Sequence, residues 1–312
     1  MNGKRFSCVG LALALALTLS LAACGSKPAE DDALADGWNE LPTETAEVKD
    51  LDAAIGGDGV FTVAMECNYP PYNWSQPDAT GGAVPIKDTT EYANGYDILT
   101  AQKICDKYGW ELEVVRLSWD GLIPAVQSGT VDAIIAGQSM TAERAKQVDF
   151  AGPYLYANIV AMTKADSAYA SATSVTDLKG AKCTSQSGTI WYETCLSQIP
   201  DASIQSAADT APTMLLSLET GTVDVIVTDM PTAQGAVKTY PDLTILDFSG
   251  TPDGDFTFAT DAERAENVNI GIAVKKGNTD LKNAINNVLT GSTKEDYNAL
   301  MEQAVELKAQ VS

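Results

Sequence analysis

Three observations predict an α/β protein built from two similar lobes. Strand-like runs alternate with helix-like runs from Val60 onward, the pattern of sheets flanked by helices. A segment also repeats: Ser128-Gly129-Thr130-Val131-Asp132-Ala133-Ile134-Ile135 returns as Thr220-Gly221-Thr222-Val223-Asp224-Val225-Ile226-Val227. Each copy follows an apolar helix and runs into a polar loop, so each lobe carries a helix–Gly–strand unit. Finally, 312 residues are enough for two domains of ordinary size.

The N-terminus reads as an export signal. Lys4 and Arg5 precede an apolar run over 9–22, too short to span a bilayer comfortably. The run ends Leu21-Ala22-Ala23-Cys24, which resembles a bacterial lipoprotein box, with 1–23 removed and the thiol of Cys24 lipidated. The alternative is ordinary cleavage near Ala23. Residues 24–57, rich in Asp, Glu, Ala and Gly, read as a flexible, solvated tether.

Order is expected from Val60. A strand over 61–65 leads into Glu66-Cys67-Asn68-Tyr69-Pro70-Pro71-Tyr72-Asn73-Trp74, where paired prolines force an extended loop crowded with aromatics. A polar, Gly-rich insertion over 75–94 reads as a surface hairpin or loop. Gly95 opens a helix with the stripe Ile98, Ala101, Cys105 and Tyr108, capped by Gly109. A strand over 111–117, a loop with Asp120 as candidate cap, and a helix over 122–128 follow. Next come a buried strand over 131–136, a break at Gly137, and a helix N-capped by Thr141.

The second block begins near Asn158. It reads as a strand over 181–185, the loop Gln186-Ser187-Gly188-Thr189, helices over 190–198 and 211–219, a strand over 223–227, and the loop Thr228-Asp229-Met230-Pro231. A strand over 270–275 and helices over 280–289 and 294–307 complete the chain.

Composition narrows the chemistry. The formal charge is −22, and loss of 1–23 removes two basic and no acidic residues, leaving −24. So acidic a surface argues against nucleic acid and against electrostatic docking on anionic lipid, leaving an N-terminal lipid as the only expected membrane contact. With no histidine, Ser-His-Asp and Cys-His mechanisms and imidazole zinc sites are excluded. Cys67, Cys105, Cys183 and Cys195 remain after export, where disulfides are allowed. Three pairings are open; Cys183–Cys195 is the closest in sequence. No metal, cofactor or catalytic group is expected.

Ligands of open α/β sheets bind beside the carboxyl ends of strands. There the first lobe offers Ser139 and Arg144, the second Asp229. Arg144, in the first turn of its helix, either pairs with Glu143 or Asp149 on a solvated face or joins free N–H groups in seating an anion. Asp229 alone fits a turn residue satisfying its own backbone. Together, across one cleft, the two suit a zwitterion.

Further motifs carry a resemblance from Val60 to Leu307. They are Tyr69-Pro70-Pro71-Tyr72, Gly95-Tyr96-Asp97, Trp119-Asp120-Gly121-Leu122-Ile123-Pro124-Ala125, Gly129-Thr130-Val131-Asp132, Thr141-Ala142-Glu143-Arg144, Val148-Asp149-Phe150, Asp177-Leu178-Lys179-Gly180 and Gly271-Ile272-Ala273-Val274-Lys275-Lys276-Gly277. In this set and order the chain resembles the solute-binding proteins of polar amino-acid ABC transporters.

The resemblance implies a two-lobed periplasmic-binding-protein-like fold hinged on two crossing strands. Lobe I would take 58–157 and 266–312, lobe II 158–265. It implies that Arg144 takes the ligand carboxylate with help from Ser139 and backbone near Gly137 and Thr189, that Asp229 takes the ammonium, that Tyr69 and Trp119 sandwich the side chain, and that Glu66 meets its tip. Glu66 between aromatic faces favours a cationic side chain such as lysine or arginine. Gln138, Gln186 and Asn73 would suit an amide such as glutamine equally well. The expected partners are an amino acid and an ABC-transporter permease, and the expected form is a monomer at the outer face of the cell membrane or in the periplasm. The rival readings are a dehydratase on the same scaffold, with Glu66 as its acid, and a sensor without a transporter.

Overall fold

A computed structural model describes residues 39–311. The expected signal peptide, Cys24 and the first part of the expected tether lie outside the described residues. In chain order come β1 (Val60–Met65), β2 (Asn68–Tyr69), β3 (Asn73–Gln76), β4 (Val84–Pro85), β5 (Tyr92–Asn94), α1 (Tyr96–Tyr108) and β6 (Glu111–Arg116). Then follow α2 (Trp119–Ser128), β7 (Ala133–Ile134), α3 (Ala142–Ala145), β8 (Asp149–Tyr156), β9 (Ile159–Lys164) and β10 (Lys182–Thr184). The rest are β11 (Ser203–Ile204), α4 (Ala211–Glu219), β12 (Val225–Asp229), α5 (Met230–Thr239), β13 (Leu243–Leu246), α6 (Asp261–Val268), β14 (Asn269–Val274), α7 (Thr279–Leu289) and α8 (Lys294–Gln310).

Two five-stranded mixed sheets organise these elements, in the orders β6-β1-β7-β14-β8 and β11-β10-β12-β9-β13. The expected α/β class is therefore observed. The chain passes from the first sheet to the second between β8 and β9, and returns between β13 and β14. The two passages touch: Ala157 N donates to Val268 O at 2.8 Å.

The repeated segment has the same structural task in both sheets. Asp132 N donates to Thr62 O at 2.9 Å, and its carboxylate accepts from Thr62 N at 2.8 Å. Asp224 does the same with Lys182, at 2.7 and 2.9 Å. Each aspartate thus ties the start of a central strand to its parallel neighbour, leaving the strand's carboxyl end to point at the site.

Several local expectations shift. The segment expected as a solvated tether is docked from Asn39 onward against β14 and α7: Asn269 Nδ2 donates to Asn39 O at 2.9 Å, Ala46 exchanges two 2.8 Å bonds with the Asn287 amide, Lys49 N donates to Asp280, and Ala54 and Ile55 are buried. Its acidic composition hid side-chain partners that sit more than two hundred residues away. The insertion at 75–94 carries β4 and β5, which complete a four-stranded sheet β2-β3-β5-β4.

Pro231, read as a loop residue, sits in the first turn of α5, where its missing N–H costs nothing. The repeat's second strand accordingly runs later than expected, ending at Asp229. Gly152-Pro153, read as a chain turn, lies within β8 opposite a register shift in β14, and Gly152 N donates to Asn286 Oδ1 instead of to the ladder. The helix expected over 190–198 is a wide turn over Trp191–Cys195 and a tight one over Leu196–Gln198. There Ser197 and Gln198 side chains compete for the Thr194 carbonyl. The four cysteines are all buried free thiols, so the pairing Cys183–Cys195 is not formed.

Candidate functional site

The segments that leave the carboxyl ends of β7 and β10 face a narrow gap. It is lined by Tyr69, Trp119, Gly137, Ser139, Arg144, Gln186 and Thr189, all expected from sequence, together with Ile190 and Trp191, which no sequence signal marked. The gap encloses about 10 Å³, room for about one water. Trp119 separates it from an outer cavity of about 680 Å³, whose walls include Glu66, Asp120, Asp209 and Arg116.

Arg144 is placed by its helix start. Thr141 Oγ1 accepts from Arg144 N at 3.3 Å, forming the expected N-cap. Neither acidic neighbour takes the guanidinium: Glu143 pairs with Lys146 at 3.1 Å, and Asp149 accepts from Gly277 N at 2.7 Å. Instead Arg144 Nη1 donates to Ser139 O (2.9 Å), Nη2 donates to Gly188 O (3.1 Å), and the head lies 5.2 Å from the Trp119 ring centre. Among the described residues no carboxylate pairs with it. Burial draws its pKa down from 12.5 to about 10, with the Tyr69 phenol opposing.

Trp119 reaches this position because α2 starts earlier than expected. Ser118, in extended backbone, precedes the helix, and Asp120 lies inside its first turn without capping it. Opposite, Gly188 has a φ of +67° and passes so close that a Cβ would lie 3.2 Å from Trp119 Nε1. On the other wall, a Cβ at Gly137 (φ +60°) would come within 2.9 Å of the Tyr69 and Tyr72 rings. Both glycines are needed for backbone to approach aromatic faces.

Asp229 lies behind this gap and does not line it. The last residue of β12 and N-cap of α5, it accepts from Thr232 N (2.8 Å), Thr232 Oγ1 (3.1 Å) and, across the gap, Tyr69 Oη (2.6 Å). The turn role expected of Asp229 is present, and its second carboxylate oxygen is also engaged by Tyr69. Its carboxyl is 2% exposed and raised in pKa, mainly by burial.

Glu66 opens onto the outer cavity. It is 8% exposed, and burial pushes its pKa from 4.5 up to about 7; a bond with the Gln186 side chain opposes this and the charge of Asp120 adds to it. The Thr189 hydroxyl donates to Gln186 O at 2.7 Å, which braces the loop carrying Gln186. No group of three or more metal-ligating side chains occurs among the described residues.

The fold is thus two mixed sheets joined by two passages, and the arginine in the gap has no carboxylate partner among the described residues. The chain belongs to the bacterial extracellular solute-binding proteins, family 3, whose pattern matches residues 61–305. It is 32% identical over 203 residues to a probable histidine-binding protein of Campylobacter jejuni, covering 64% of this chain and 72% of that one. It is 26% identical over 237 residues to the L-cystine-binding protein TcyJ of Escherichia coli, covering 76% and 79%. Among solved structures it is similar to the amino acid ABC transporter substrate-binding protein AbpA of Streptococcus pneumoniae bound to L-arginine, with a TM-score of 0.64, 28% identity, and coverage of 83% and 99%.

Proposed function

We propose that the protein captures an amino acid between two lobes, 58–157 with 266–312 and 158–265, and delivers it to the permease of an ABC transporter. The observation that carries this reading is Arg144, a cation in the gap with no acidic partner among the described residues. A ligand carboxylate supplies that partner, aided by Ser139 and by backbone at Gly137 and Thr189. Room for about one water means that the lobes must part to admit a ligand and then close on it. Its ammonium reaches Asp229 by displacing the Tyr69 hydroxyl. Contacts from both sides favour the closed form, and closure is what a permease can recognise.

The side chain passes between Tyr69 and Trp119 toward the outer cavity. Glu66, Asp120 and Asp209 outnumber Arg116 there, and Arg116 already pairs with Glu91 at 2.6 Å, so a cationic tip such as that of lysine or arginine is favoured. We assign no catalytic step: the protein returns its ligand unchanged. In this reading Cys24 carries the lipid that holds a monomeric carrier at the outer face of the membrane.

A thermal-shift screen against the twenty amino acids tests the proposal. Ligand at a hundredfold over its Kd should add about 2.7 kcal/mol of stability. Basic amino acids should give the shift, and Arg144→Ala should abolish it while the variant still melts cooperatively. A variant that keeps the parent's response refutes the assignment, and a response to glutamine alone refutes the cationic tip.

A further inference from the structure

Asp97 is a buried carboxylate that ligand capture as described above does not use. It stands in the first turn of α1 with 0% exposure, and no lysine or arginine pairs with it among the described residues. Burying a carboxylate without a cation is costly unless strong donors surround it. Here Tyr154 Oη donates to Oδ1 at 2.6 Å and Asn73 Nδ2 donates to Oδ2 at 2.8 Å. The Tyr154 oxygen in turn accepts from Gly137 N at 3.1 Å.

A phenol has one proton. Because an ionised Asp97 can only accept, Tyr154 must give it that proton, and its lone pairs are then left for the Gly137 N–H. The next residues of the same loop end in Ser139, whose carbonyl receives Arg144 Nη1. A line of bonds therefore runs from α1, through β8, to the residue expected to seat the ligand. We propose that Asp97 is a positioning residue: through Tyr154 it fixes the 137–139 loop, and with it Arg144, in the geometry that receives the ligand carboxylate. This rests on the amino-acid reading.

The groups facing Asp97 are Asn73 from β3, Tyr154 from β8, Gly137 from the loop after β7, and its helix neighbour Tyr96; Tyr72 and Cys67 also sense its charge. Burial moves its pKa from 3.8 up to about 6, opposed by the Tyr154 and Asn73 side chains and by the nearby Gly137 N–H. Once protonated, Asp97 can donate to Tyr154, and the direction of the phenol is no longer imposed.

The test is calorimetric titration with L-arginine, L-histidine and L-glutamine from pH 5 to pH 8, beside thermal melts. Asp97→Asn should bind about tenfold more weakly than the parent at pH 8, one hydrogen bond's worth. The difference should close toward pH 5, where the parent has lost the same charge. Tyr154→Phe, which keeps the ring stacked on Tyr96, should weaken binding similarly, and the double variant should be little worse than either single one. Variants that melt earlier yet bind like the parent overturn the proposal, as does an Asn-to-parent ratio that does not change with pH. A parent that binds none of the three probes overturns the amino-acid reading and this inference together.

Discussion

Replacing Glu66 by glutamine should stabilise the protein at high pH and cost it a cationic ligand. The carboxyl titrates at about 7 in the folded chain against 4.5 when unperturbed. Each pH unit of that difference corresponds to about 1.4 kcal/mol, so ionised Glu66 costs the native state about 3 kcal/mol. The sign follows from proton binding. Between pH 4.5 and 7 the folded chain keeps a proton that the unfolded chain has released, so this group's effect is a fall in stability as pH rises through that window. Glutamine has the same shape and no charge to desolvate. Urea unfolding should therefore show Glu66→Gln more stable than the parent by about 2–3 kcal/mol at pH 8 and nearly equal to it at pH 4. A cationic tip beside Glu66 would also expel its proton. Titration of the parent at pH 6 in buffers of different ionisation enthalpy should then report up to one proton released per basic amino acid, and none in Glu66→Gln. A gain in stability that is the same at both pH values would refute the burial argument. Tight binding of lysine or arginine without proton release would refute the contact.

Two further expectations follow from the geometry. Tyr69→Phe removes the 2.6 Å bond from Tyr69 Oη to the buried Asp229, leaving those from Thr232; it should cost about 1–2 kcal/mol in a thermal or urea melt, and an unchanged midpoint would show that the Tyr69 bond contributes nothing in solution. Asp132→Ala and Asp224→Ala each untie a central strand from its neighbour. By urea midpoint the half-buried Asp132 should cost about 1–2 kcal/mol and the exposed Asp224 less, and the reverse order would contradict their placement.

Much of the fold was legible because it rests on local rules. The period of α1, its closing Gly109 and the Thr141 cap act within a few residues, and each is where the pattern put it. Part of the gap's lining was legible locally, since Ser139 and Arg144 lie in the polar loop and helix start after β7, whereas the role expected of Thr189 came from the family resemblance. Elements whose partners are distant were harder to read. The segment at 39–57 looked solvated because its partners are on β14 and around α7, and β8 looked like a turn because the register shift that accommodates Gly152-Pro153 belongs to β14.

By itself the sequence determined the α/β class, the doubled helix–Gly–strand unit, and the residues that could meet a small charged solute. Tertiary structure alone decided how those residues are spent. Charge and spacing could not say that Arg144 would have no carboxylate partner among the described residues, that Asp229 would be engaged by Tyr69, or that a buried Asp97 would lie behind the loop at Gly137. Those outcomes depend on which groups are driven out of water next to one another, and desolvation is set by packing across the whole molecule.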